Sequence, residues 1–164
     1  MKQDTSIKER VLNPEQSAKA ASAKARVGET EAVDNCVEQL DERICAALRA
    51  ASDKKALDIV VLDLREIASF TDYFIITSGT NVRQVQAIAD EVVEQLKKQG
   101  TRAARVEGYN TAEWVLVDYG DFILHVFEDK ARRFYDLERL WRDAVRVPLP
   151  AGVTGAESSL RSEL

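Results

Sequence analysis

Residues 114–127 read WVLVDYGDFILHVF, two apolar runs that meet at Gly120-Asp121. A Gly-X pair between such runs suits a two-residue type II′ turn, and a turn of that length sets the register of the whole hairpin. Tyr119 then faces Phe122, Val117 faces Leu124 and Val115 faces Val126, which makes one continuous apolar face. The other face pairs Asp118 with Ile123, Leu116 with His125 and Trp114 with Phe127. The first face is a core face that needs only helices packed over it.

The second face is mixed. It carries a large aromatic pair, and Asp118 lies diagonal to His125, the chain's only histidine, at roughly 7 Å between backbones. Two readings stay open there: a satisfied buried histidine beside a rim carboxylate, or a recognition surface anchored by a partly accessible tryptophan. An Asp next to a His is half of a catalytic triad, but the nucleophile is missing. Ser78 and Thr80 sit in SGTN with no nucleophile elbow and no phosphate-cradling glycine loop around them.

The rest of the chain supplies the covering helices. Val33, Cys36, Val37, Leu40, Ile44, Ala47 and Leu48 recur at spacings of three and four, which predicts an amphipathic helix over 31–51. LDIVVLDL (57–64) and DYFIITSG (72–79) read as strands. Asn81 and Gln84 form a capping box for a helix that carries Val82, Val85, Ile88, Ala89, Val92 and Leu96 and closes at Lys97, Lys98 and Gly100. ARVEG (104–108) is a third strand, and the hairpin supplies the fourth and fifth. A last helix is expected from Asp129, with Phe134, Leu137, Leu140, Trp141, Ala144 and Val145 on one side until Pro148 stops it. The order predicts an α/β domain with a mixed five-stranded sheet flanked by helices.

Its boundaries follow from composition. Residues 1–30 lack a sustained apolar stripe and read as a mobile extension, 31–147 as the domain, and 148–164 as a flexible tail. Residues 1–27 hold six basic and three acidic side chains, whereas 28–147 hold sixteen and twenty-three. So acidic a domain is a poor grip for a phosphate backbone and suits a basic protein partner better. No apolar run is long enough to span a membrane, and the N-terminus, with Asp4, Glu9 and Glu15, resembles neither a signal nor a transit peptide; a cytoplasmic address is expected. Cys36 and Cys45 on one helix would lie about 13 Å apart along its axis, which predicts two separate buried thiols. One histidine and two such thiols make no zinc site, and no D-x-D pair is present for metal-assisted phosphoryl transfer.

Three segments carry more than pattern: TDYFIITSGTNVRQVQAIADEV (71–92), EGYNTAEWVLVDYGDFILHVF (107–127) and RRFYDLERLW (132–141). In order and spacing they resemble the ribosomal silencing factor family, also called the RsfS or Iojap family, over roughly residues 34–143. The resemblance implies a nucleotidyltransferase-like α/β fold without the catalytic carboxylates, no enzymatic activity and no cofactor. It also implies binding to a basic protein of the large ribosomal subunit, the fourteenth, at the face toward the small subunit. Subunit joining would be blocked and translation lowered when nutrients are scarce. The family's signature falls on Asp72, Tyr73, Gly79, Glu107, Gly108, Trp114, Asp118, Gly120, Asp121, His125, Tyr135, Glu138, Leu140 and Trp141. Of these, the hairpin arithmetic selects Trp114, Asp118, Asp121, His125 and Tyr135 as the partner-binding residues. Two other classes stay open, a large-subunit assembly factor and a nucleotide-binding enzyme of nucleotidyltransferase type. A homodimer also stays open, because an apolar strand edge can pair two copies.

Overall fold

The structure, a computed structural model, describes residues 6–17, 40–149 and 153. Its elements are α1 (Ile7–Val11), α2 (Pro14–Ser17), α3 (Glu42–Asp53), β1 (Leu57–Asp63), β2 (Tyr73–Gly79), α4 (Val82–Lys98), β3 (Arg105–Glu107), β4 (Trp114–Asp118), β5 (Phe122–Glu128), α5 (Asp129–Tyr135), α6 (Leu137–Leu140) and β6 (Val145–Val147). The described strands form one sheet in the order β3-β4-β5-β2-β1-β6. It is mixed: β2 and β5 run parallel at its centre, and every other neighbouring pair is antiparallel.

The hairpin register is the one the turn dictates. Trp114 pairs with Phe127, Leu116 with His125, Val117 with Leu124 and Asp118 with Ile123. Gly120 sits at φ +89°, the positive value that a type II′ turn requires of its first central residue. The Asp118 carboxylate accepts from the Gly120 N–H at 2.8 Å, and the Thr71 hydroxyl donates to the Gly120 carbonyl at 2.9 Å. The turn is thereby pinned to the entry of β2.

Each sheet face closes its own core. On one side α3 and α4 bring Ile44, Leu48, Val85, Ile88, Val92 and Leu96 against Val115, Val117, Phe122, Leu124 and Val126. α4 starts where the capping box places it, since the Asn81 side chain accepts from the Gln84 N–H at 2.8 Å. Gln84 reaches back one residue further than in a standard box and accepts from the Thr80 N–H at 2.8 Å. The SGTN segment thus uses its own side chains to cap the helix.

The other side departs from expectation. The sheet has six strands, not five. The helix expected to run from Asp129 toward Pro148 is cut at Asp136, which adopts a left-handed conformation at φ 48°, ψ 55°. An aspartate tolerates that region better than most residues. Beyond α6 the chain becomes extended, and β6 lies antiparallel to β1 with Val147 opposite Val61. A residue before proline avoids the helical region, which favours this outcome at Val147. Leu137 and Trp141 stay buried, while Phe134, Leu140 and Val145 turn outward.

Within the segments read as extension and tail, a few described residues pack on the domain. Ile7 and Val11 are buried in the second core with Trp114, Phe127, Leu137 and Trp141. Val153 is buried in the first core, with Val147 and Leu149 packed against it. The expected helix over 31–51 is described only from its N-cap Asp41, whose carboxylate accepts from the Arg43 N–H at 2.7 Å. Its first part and Cys36 lie outside the described residues, as does the remainder of both ends. Cys45 is disulfide-bonded, so the expectation of two separate thiols is overturned. Among the described residues no helix is long and apolar enough to cross a membrane.

Candidate functional site

The second face of the hairpin is the floor of an aromatic cluster. Trp114 stacks on Phe127 at 5.1 Å between centroids and leans on Tyr135 at 4.8 Å. Its indole N–H donates to Nδ1 of His125 at 3.1 Å. The Phe74 ring meets the imidazole edge-on at 4.5 Å and Trp141 at 5.4 Å. Cross-strand pairing puts Trp114 over Phe127, and α5, which leaves β5 directly, returns Tyr135 to the same spot.

Five residues were expected to form one contact surface, and the structure separates them. Trp114 is 3% exposed and His125 fully buried, because Ile7, Val11, Leu137 and Trp141 pack on this face of the hairpin. Asp118, diagonal to His125 on the hairpin, is bound to the turn, and His125 to Trp114. Asp121 is exposed at the turn and forms an ion pair with Arg43 of α3 at 2.8 Å. Of the five, only Tyr135 is both accessible and part of the cluster.

Burial drives the His125 pKa down to about 3, with the Lys8 charge adding to the effect. Nδ1 accepts from Trp114, so the imidazole proton sits on Nε2, which has no hydrogen-bond partner among the described residues. The unfolded chain protonates this residue near its ordinary value and the folded chain refuses the proton. Its contribution is constant at neutral pH and destabilises the fold as pH falls below about 6.5. Urea unfolding should therefore show a loss of about 2 kcal/mol between pH 7 and pH 5, before carboxylates titrate appreciably. His125→Gln should flatten that dependence; an unchanged slope would exclude the imidazole as its source.

The cluster is roofed by the N-terminal segment. The Ser6 hydroxyl and the Ile7 N–H donate to the two carboxylate oxygens of Glu107 at 2.8 and 3.1 Å. The Lys8 ammonium donates to the Trp114 carbonyl at 2.7 Å and sits 4.6 Å from the centre of its ring. Burial lowers the Lys8 pKa, against the opposing pull of Glu107 and Glu113. The Trp141 indole N–H donates to the Val11 carbonyl at 2.8 Å.

Beside this roof lies an open cleft of about 940 Å³ between Leu12–Glu15 and the α5–α6 segment. Phe134 projects at it, 79% exposed, with its ring edge-on to Tyr135 at 5.0 Å. Sequence reasoning missed Phe134 because helical spacing assigned it to the core. The one available signal was the adjacent pair Phe134-Tyr135, which lie about 100° apart around a helix, so that a narrow apolar stripe takes only one of them.

Beneath α5, Arg132 is 8% exposed and donates to both Glu138 oxygens, at 3.4 and 2.9 Å, and to the Ser78 hydroxyl at 3.3 Å. This ion pair ties α6 to the end of β2 and holds the break at Asp136 in place. Among the described residues no group of three or more His, Cys, Asp or Glu side chains could hold a metal ion.

Comparison with known proteins places this architecture. The family described as "ribosomal silencing factor during starvation" matches residues 37–163. The chain is 44% identical over 108 residues to a ribosomal silencing factor RsfS of Halalkalibacterium halodurans, covering 66% of this chain and 92% of that one. A Bacillus subtilis protein of the same name is 44% identical over 107 residues, 65% of this chain and 91% of its own. A mouse protein named "mitochondrial assembly of ribosomal large subunit protein 1" is 33% identical over 91 residues, 54% of this chain and 40% of its own. A crystal structure from Bacillus halodurans superposes with a TM-score of 0.61 at 41% identity, covering 67% of this chain and all of that one. The match spans the first core, the second core apart from Ile7 and Val11, the hairpin and the α5–α6 break but not α1 or α2, and on it the chain belongs to the ribosomal silencing factor family, RsfS.

Proposed function

We propose that this chain binds the large ribosomal subunit and keeps it from joining the small one, repressing translation under nutrient limitation in the cytoplasm. Membership of a family of silencing factors is the observation that carries this reading. The proposed partner is the basic fourteenth protein of that subunit, and the proposed contact is the accessible edge of the aromatic cluster. Phe134 is the anchor, because a large exposed ring backed by a rigid cluster makes a binding hot spot. Tyr135 supports it. Trp114 and His125 act from below by holding Tyr135 in place, and Asp118 and Asp121 are peripheral carboxylates that favour encounter with a basic surface. The act is steric and draws on no cofactor. A single copy suffices, since the outer strands β3 and β6 have three residues each and include Arg105, Glu107 and Arg146, a poor template for pairing.

Sucrose-gradient sedimentation of purified large and small subunits tests it. Excess wild-type protein should hold the subunits apart and travel with the large one. Phe134→Ala should keep its thermal midpoint, since the ring is mostly in solvent, and lose about tenfold in affinity. Normal joining with wild-type protein would refute the silencing reading. Equal potency of the variant would remove Phe134 from the interface.

The name of the mouse relative favours a second reading, assistance to large-subunit assembly. Association with immature rather than mature particles would support it.

A further inference from the structure

We infer that residues 6–15 are a displaceable cover which occupies the ribosome-facing surface in cis and must leave before a basic partner can bind fully. The inference rests on the docking reading above. Three observations converge on it.

First, the segment imitates a basic ligand. Lys8 lies over the Trp114 ring, 4.6 Å from its centre, donates to the Trp114 carbonyl and interacts with Glu107 and Glu113. Both Glu107 oxygens are occupied by donors from Ser6 and Ile7. An aromatic face flanked by carboxylates is the chemistry that receives a Lys or Arg side chain. Here one end of the chain, rich in basic residues, supplies that cation to its own acidic domain.

Second, the cover is held lightly. α1 has five residues, too few to be stable unaided, and only Ile7 and Val11 are buried in it. Its remaining attachments are side-chain and backbone hydrogen bonds that a partner could replace one for one. The cover also forms one wall of the cleft that Phe134 faces, so its departure widens the surface around that ring.

Third, the family match begins at residue 37, so the cover is an addition to the shared domain, seated on that domain's signature residues Glu107, Trp114 and Trp141. The partner is thereby specified as a protein segment that presents a Lys or Arg over Trp114. Its apparent affinity is reduced by the fraction of time the cover is shut.

The test uses the full chain with Ile7→Asn and Val11→Asn, which removes both apolar anchors without changing net charge. Binding to isolated large ribosomal subunits is titrated by fluorescence anisotropy, and circular dichroism checks the fold. The opened variant should bind about tenfold tighter or more, and a synthetic peptide of residues 6–17 should reverse the gain. Lys8→Met, which removes only the cation, should shift affinity the same way by a smaller factor and decides the matter if the double variant does not fold. Equal binding by wild type and opened variants would overturn the cover while leaving the docking surface standing. No binding by any of them would refute the docking surface and the cover together.

Discussion

Trp114→Ala should lower the thermal midpoint by about 15 °C or more, a loss of roughly 3–5 kcal/mol, and leave little folded protein under mild denaturant. The indole is 3% exposed, stacked on Phe127 and tilted against Tyr135. Its removal empties the centre of the second core. It also strips Nδ1 of His125 of the donor it has among the described residues, leaving a fully buried imidazole with no hydrogen-bond partner there. Trp114→Phe separates these effects: most of the apolar area remains, the N–H bond is lost, and the cost should fall to about 1–2 kcal/mol. Urea unfolding of the two variants makes the measurement. A stable, well-folded Trp114→Ala would show that the cluster is not the support described. The corollary bears on function, because a ribosome-binding defect in Trp114→Ala reports unfolding first and contact second, whereas Phe134→Ala reports contact.

Gly108→Ala should be nearly as damaging, at about 2–4 kcal/mol. Gly108 has φ +78°, a region costly for any residue with a Cβ, and the added methyl would collide with the backbone carbonyl of Trp114. That carbonyl is fixed in β4 and accepts the Lys8 ammonium, so it cannot yield without disturbing both the sheet and the N-terminal helix. Gly120→Ala is the control. It has φ +89° but open space around it, so only the dihedral cost of about 1 kcal/mol applies. Similar destabilisation by the two substitutions would mean that backbone strain alone, without the collision, accounts for Gly108.

The hairpin was legible because a two-residue turn leaves one register and Gly120-Asp121 names the turn. The α3 and α4 layer was legible for a related reason: apolar spacing of three and four has no rival reading over Val82–Leu96. The last segment was not, since Phe134, Leu137, Leu140 and Trp141 satisfy helical spacing as a set. Only a left-handed Asp136, a conformation with no sequence requirement, breaks that set into two short helices and frees three residues for β6. The candidate site failed in one specific way. Pairing arithmetic put Trp114, Leu116 and His125 on the correct face, but which face meets solvent depends on what packs there. That covering comes partly from Ile7 and Val11, two apolar residues in a stretch too polar to register as an element.

The N-terminal helix also has a place in time. Its bonds to Glu107, Trp114 and Trp141 span 101, 106 and 130 residues of sequence. Closing a loop of that length costs more entropy than any local pairing, and its docking partners emerge from the ribosome long after the helix itself. The cover therefore cannot close fully until Trp141 has been made. A nascent chain leaves the proposed docking surface bare in the interval between completing Trp141 and capturing its own beginning.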